Sequence, residues 1–249
     1  MNFDNGYDKG AEGKIMSGQH SSRQYDQDLE WIRSKVLLMG GLVEDQFRDA
    51  MIALEKGDDV LADRVIKGDE KVNKQEVELD HSLTELIVRR QPAANDLRNV
   101  TATGKVITDL ERIGDEATKI ARSAKNIRSR ELLLPNHYQT LAAMSQTASR
   151  MLREALDAYA RMDREQAIRL MALDAVIDRE FHDMMKELIE YMSDEPGTVA
   201  AGLDILWAAK AIERIGDHAT NIGEYVIYVV DGEDIRHTDY RLQFQGAMI

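Results

Sequence analysis

The residues best suited to chemistry are the carboxylates of Glu111-Arg112-Ile113-Gly114-Asp115, because the same five residues return 102 positions later as Glu213-Arg214-Ile215-Gly216-Asp217. Residues 111–120 and 213–222 agree at eight of ten positions, differing only at Glu116/His218 and Lys119/Asn221. The chain is an internal duplication. A helix places positions i and i+4 on one face about a turn apart, where like charges repel. A repulsive pair kept in both copies points to a cation site, with Glu111, Asp115, Glu213 and Asp217 as its ligands.

The preceding helices add a second oxygen-bearing pair to each copy, Asp69-x-x-x-Asn73 in the first and Asp174-x-x-x-Asp178 in the second. If the pairs face each other, four oxygen side chains converge between helices of a bundle; the alternative places these four on solvated faces. All-oxygen ligation suits hard or borderline cations, and the sequence does not choose among Mg, Mn, Fe, Zn and Ca. His218 lies five positions from Glu213 and its counterpart is Glu116, so it is not counted as a ligand. Arg112 and Arg214 are placed to neutralise the carboxylates or to pair with the other bundle, with no Gly-rich loop or basic cluster to support phosphate binding. No nucleophile elbow, phosphate loop, H-E-x-x-H or Ser/His/Asp set is present, so no catalytic residue is assigned and an enzyme is not expected.

Positioning these residues falls to helices. Leu29, Ile32, Val36, Met39, Val43, Phe47, Ala50 and Leu54 recur in steps of three and four and predict a long first helix from Asp26, ended by Gly57. Asp58 or Asp59 caps a second helix running to about Arg90, with Val60, Val65, Val72, Val77, Leu79, Leu83, Leu86 and Ile87 as its apolar positions. A proline inside a helix costs about 3 kcal/mol, so Pro92, Pro135 and Pro196 mark junctions. They leave a third helix over about 94–128, a fourth over 136–161, a fifth capped by Asp163, and a sixth from Pro196 to about Val230. The motif helices carry seams of small residues, Ile107-Leu110-Gly114-Ala117-Ala121-Ala124 and Ile205-Ala209-Ile212-Gly216-Ala219-Gly223-Val226, which predict a close approach of backbones and a central place for the third and sixth helices. Trp31, Trp207 and most methionines fall at helical spacing and are expected in the core. No stretch reads as a strand. The expected fold is all-α, two tandem three-helix bundles over 25–130 and 131–237, with a mobile tail over 1–24 and a C-terminal tail over 238–249.

The formal net charge of −13 and the lack of a Lys/Arg cluster argue against nucleic acid. The absence of Cys excludes disulfides and thiolate ligands and suits a reducing compartment. No apolar run approaches the ~20 residues of a membrane span, and the polar N-terminus lacks a signal-peptide core, so a soluble cytoplasmic protein is expected.

Several stretches together resemble the phosphate-uptake regulator (PhoU) family: the doubled E-R-I-G-D, Arg89-Arg90-Gln91-Pro92, Gly68-Asp69-Glu70-Lys71-Val72-Asn73, and Glu224-Tyr225-Val226-Ile227-Tyr228 with Arg236-His237. The match runs from about His20 to His237. The resemblance implies two three-helix bundles with metal at Glu111/Asp115 and Glu213/Asp217. It also implies a cytoplasmic negative regulator of the phosphate-starvation response, acting between the ATPase subunit of the phosphate transporter and the sensor histidine kinase. Peripheral association with that membrane complex and a homodimer are expected. Residues 1 to about 19 extend beyond the usual start, and Asn73 stands where a carboxylate could sit. The competing readings are a metal-dependent phosphohydrolase and a metal-free helical scaffold.

Overall fold

In a computed structural model of the chain the described residues are 12–129 and 135–235, with side chains over 23–127 and 138–235. They form six long helices and no strand: α1 (Glu12–Lys56), α2 (Asp59–Arg90), α3 (Asn95–Ser129), α4 (Pro135–Arg161), α5 (Arg164–Asp194) and α6 (Val199–Asp231). A 3-10 turn, Pro196–Thr198, leads into α6. Helices α1–α3 make one three-helix bundle and α4–α6 a second.

Helix boundaries follow local chemistry. Asp58 accepts the backbone N–H of Leu61 at 2.9 Å, and Asp163 accepts that of Gln166 at 3.0 Å, so the same side-chain cap opens the second helix of each repeat. The residue before each cap is left-handed: Gly57 at φ 60° and Met162 at φ 51°. Glycine meets that requirement without a steric penalty, and methionine does not.

Residues 1–11 of the expected tail, the junction 130–134 and the C-terminal stretch 236–249 lie outside the described residues. From Glu12 onward the expectation of a tail is corrected, because the backbone is already helical there and runs unbroken into α1. The stretch contains no proline, and once α1 is anchored, extending it costs only elongation. Tyr25 supplies an anchor: it is buried and donates its hydroxyl to the Asp96 carbonyl at 2.9 Å.

The seam of α1 is buried at every expected position from Leu29 to Leu54. On α2, Val65, Val72, Leu79, Leu83 and Leu86 are buried, whereas Val60, Val77 and Ile87 are exposed. The buried set keeps a heptad step from Val65 through Val72 and Leu79 to Leu86, and the three exceptions fall off that stripe. Both tryptophans correct the expectation of core: Trp31 is 52% exposed and Trp207 66%. Each stands immediately beside a buried position, Ile32 or Ala208, and so points outward. Trp31 lies under the ammonium of Lys35, 5.6 Å from the ring centroid.

Helices α3 and α6 do pack against each other, more extensively than any other pair. Their polar contacts run antiparallel: Lys105 lies over the Tyr225 ring, Asp109 meets His218 and Asn221, Glu116 meets Arg214, and Asn126 donates to Asp204. Gly114 and Gly216, however, serve a different contact from the expected backbone approach. A Cβ on Gly216 would stand 3.2 Å from two Ile177 methyl carbons and 3.4 Å from Met151 Cε, side chains of its own bundle. Gly114 likewise faces α1 and α2. We therefore expect Gly216→Leu to lower the unfolding free energy by about 1–3 kcal/mol despite the better helix former, through overpacking against Ile177 and Met151. Urea denaturation of parent and variant checks this; an unchanged or raised midpoint would mean that the site has room.

Candidate metal centre

In the second bundle, Asp174 and Asp178 project from α5 and Glu213 and Asp217 from α6. Asp178, Glu213 and Asp217 each offer an oxygen within 4.8 Å of the others'. Asp174 accepts the Thr220 hydroxyl at 3.2 Å at the edge of this trio. Burial, and then the charges of Glu213, Asp174 and Asp178, push the Asp217 carboxyl up to about 6, against the opposing pull of Lys210. The Lys210 ammonium lies 2.5 and 2.6 Å from the two oxygens of the buried Glu213.

The first bundle repeats the plan with different parts. Burial raises the carboxyls of Glu111 and Asp115; Asp115, Glu76 and Asp69 add to the shift at Glu111, and Asp69 and Glu116 to that at Asp115. Glu76 is raised as well, by burial and then by Asp80 and Asp115. Asn73 is exposed. The carboxylate whose charge adds to those of Asp69, Glu111 and Asp115 is instead Glu76, seven residues on from Asp69 and on the same helix face. Gln46, buried on α1, donates from Nε2 to Asp69 Oδ1 at 3.1 Å and to the Thr118 hydroxyl at 3.3 Å, while its Oε1 has no hydrogen-bond partner. A Cβ at Gly114 would stand 3.2 Å from that Oε1 and 3.3 Å from Asp69 Oδ1, so glycine there leaves space for the polar pair.

Of the expected site residues, the structure brings Glu213, Asp217, Asp178 and Asp174 together in one cluster and Glu111, Asp115 and Asp69 in another; Asn73 joins neither. Among the described residues, the trio in the second bundle is the one group of three ligand-type side chains that converges within 4.8 Å. Both clusters are all-oxygen, half-buried and mutually repulsive, a donor set that fits a hard divalent cation without thiolate or imidazole. His218 stands apart from the trio: its Nδ1 lies 2.7 Å from Asp109 Oδ1, a buried carboxylate that also accepts from Asn221 at 3.1 Å. Arg214 reaches Glu116 of the other bundle at 3.4 Å, and Lys119 reaches the same carboxylate at 2.8 Å. Arg112, Lys119, Arg214 and His218 line a cleft of about 350 Å³ between the bundles, flanked by Asp115 from one cluster and Asp217 from the other.

Sequence reasoning missed Glu76, Lys210 and Gln46. The step of seven from Asp69 could have found the first and the step of three before Glu213 the second, whereas Gln46 comes from a helix whose seam is otherwise apolar.

The PhoU domain model matches residues 36–124 and 141–226, once on each bundle. The chain belongs to the PhoU family. It is 44% identical over 218 residues to the phosphate-specific transport system accessory protein PhoU homolog of Pseudomonas putida, covering 88% of this chain and 85% of that one. It is 42% identical over 221 residues to the phosphate-specific transport system accessory protein PhoU of Escherichia coli, covering 88% and 90%. The crystal structure of PhoU from Pseudomonas aeruginosa superposes with a TM-score of 0.81 at 42% identity, covering 84% of this chain and all of that one. The phosphate transport system regulatory protein PhoU from Streptococcus pneumoniae superposes with a TM-score of 0.78 at 27% identity, covering 84% and 98%. Among the described residues, no helix is long and apolar enough to cross a membrane.

The electrostatics of the second cluster give a stability prediction for metal-free protein. A folded-state carboxyl raised above its unfolded value favours folding while it is protonated, and that contribution is lost as pH rises from about 4 towards the folded value of about 6. Asp217→Asn should therefore stabilise the chelated protein at pH 7 by about 1–2 kcal/mol, after allowance for solvent screening, and have little effect at pH 4. Thermal melts in chelator at the two pH values check it; equal effects at both would assign the gain to something other than charge.

Proposed function

We propose that this protein regulates phosphate uptake as a metal-binding accessory of the phosphate transport system, holding divalent cations at the two carboxylate clusters and acting by contact with other proteins. The observation that carries the reading is the doubled cluster itself. Each bundle commits half-buried, mutually repelling carboxylates to one face of its motif helix, a cost that a bound cation would offset. Family membership supports the regulatory role, since the relatives are named phosphate-specific transport system accessory proteins and one solved neighbour a phosphate transport system regulatory protein.

In this reading the chain is a cytoplasmic negative regulator whose partners are the transporter ATPase subunit and the phosphate sensor histidine kinase, with a homodimer as the assembly. With metal bound, Glu213, Asp217 and Asp178 would supply the donors in the second bundle, and Glu111, Asp115 and Asp69, with Glu76, those in the first. The metal would neutralise the clusters and hold α5 to α6 and α2 to α3. The chain's own groups otherwise serve packing and pairing: Asp109, His218 and Asn221 tie the bundles together, and Arg214 with Glu116 does the same on the other side of the crossing.

Two measurements test this. Elemental analysis of Glu213→Gln/Asp217→Asn should show the loss of metal from the second bundle with the first still loaded; undiminished metal content would remove the site assignment. In cells, deletion should leave phosphate-starvation genes expressed in phosphate-rich medium, and a folded variant lacking all four motif carboxylates should keep partial repression. Normal repression in the deletion strain would overturn the regulatory role, and metal-dependent hydrolysis of phosphate esters by the purified protein would replace it with an enzymatic one.

A further inference from the structure

The two clusters differ in one respect that follows from the repeat. Lys210 stands three residues before Glu213 on α6, and its ammonium spans both carboxylate oxygens at 2.5 and 2.6 Å while lying 5.1 Å from the centroid of the Phe181 ring. Glu213 is buried, so this carboxylate faces the ammonium rather than bulk water. In the first repeat the position of Lys210 is held by Thr108, whose hydroxyl is spent on the Gly104 carbonyl at 3.3 Å, and the position of Phe181 by Glu76. The second cluster therefore has an ammonium hydrogen-bonded to one of its carboxylates with an aromatic face beside it, whereas in the first Arg112, Lys119 and Arg122 act on the carboxylates only through their charge and Glu76 adds a further carboxylate.

We propose that Lys210 is an internal counter-ion of the second cluster that a metal ion must displace, so that metal loading there is an exchange of one cation for another. The inference rests on the reading of Asp178, Glu213 and Asp217 as metal ligands. Both oxygens of Glu213 are engaged by one ammonium, so the charge that Glu213 would offer a divalent ion is already compensated while Lys210 stays in place. An ammonium kept beside a divalent ion would also be repelled by it at short range. The Phe181 face already lies beside the ammonium and is a contact that Lys210 can keep as it moves off Glu213. The exchange makes the position of Lys210 dependent on metal at the second cluster, a dependence that the first cluster, with Thr108 and Glu76, does not have.

The test uses the full-length chain with the first cluster disabled by Glu111→Gln and Asp115→Asn, stripped of metal and titrated with Mn²⁺ by calorimetry, with and without Lys210→Met. Methionine keeps the length and apolar stem of the side chain and removes only the charge. The expected result is an Mn²⁺ dissociation constant lower by about tenfold or more in the Lys210→Met form, with Lys210→Arg close to the parent. In the unmutated protein, acylation of Lys210 by an amine-reactive reagent, followed by mass spectrometry, should increase on Mn²⁺ addition. Measurable Mn²⁺ binding with equal or weaker affinity after Lys210→Met, or acylation of Lys210 indifferent to Mn²⁺, overturns the exchange and leaves the metal reading standing. An absence of Mn²⁺ binding in both forms overturns the two together.

Discussion

Repulsion between carboxylates one helical turn apart is the constraint to which the rest of this molecule conforms. Isolated on a solvated helix, such a pair costs a few tenths of a kcal/mol. Here the pairs on α3 and α6 are half-buried and meet further carboxylates from α2 and α5, so burial and neighbouring charge act in the same direction at Glu111, Asp115 and Asp217. A fold can hold such clusters only if its helices are fixed by something else. That support comes from the apolar seams, buried from Leu29 to Leu54 on α1 and from Ile205 to Val226 on α6, and from the capping aspartates that start α2 and α5 at corresponding places.

The pairing of α3 with α6 connects the clusters to one another. Because the two helices run antiparallel and carry the same motif, the residues just beyond each motif core face the opposite bundle, and there the copies have diverged. Glu116 takes Arg214 and Lys119, whereas its counterpart His218 takes Asp109. Each side of the crossing thus holds a buried carboxylate with cationic or hydrogen-bonding partners. An unpaired carboxylate in that position would cost several kcal/mol; Asp109, which meets His218, is Ala211 in the other copy, whereas Arg214, which meets Glu116, is matched by Arg112. The substitution of Glu116 by His218 between repeats, puzzling within one helix, makes sense once Asp109 is seen across the seam.

Features that depend on period and on single strong residues were legible in the sequence. The six helices followed from seams at steps of three and four, three prolines and two capping aspartates, and repeat alignment picked out most of the carboxylates that gather in each bundle, with Asn73 wrongly included and Glu76 missed. What was not legible depended on which side of a helix a residue takes within a degree of rotation that spacing does not define. Trp31 and Trp207 sit one position from buried residues and face outward, and Asn73 leaves the cluster while Glu76, three residues later, joins it. The role of Gly114 and Gly216 was mistaken because a small residue on a central helix can admit either a backbone or a side chain. The deciding atoms, Gln46 and Asp69 at one glycine and Ile177 and Met151 at the other, come from helices distant in sequence.

That contrast also shows how the copies separated while the framework stayed. At Gly114 the space is filled by a polar pair, and Gln46 stands between Thr118 and Asp69. At Gly216 it is filled by apolar side chains, and Thr220 donates to Asp174 directly. Gln46 has an amide to satisfy and leaves its Oε1 without a protein partner, a cost of about 1–3 kcal/mol for a buried acceptor unless a ligand or water meets it. Met151, at the corresponding glycine, carries no such requirement. The first bundle therefore spends folding free energy on polarity around Asp69, whereas the second surrounds its glycine with apolar packing and balances its carboxylates with Lys210. Identical motif residues on equivalent helices thus end in sites of different electrostatic character, set by the helices packed against them.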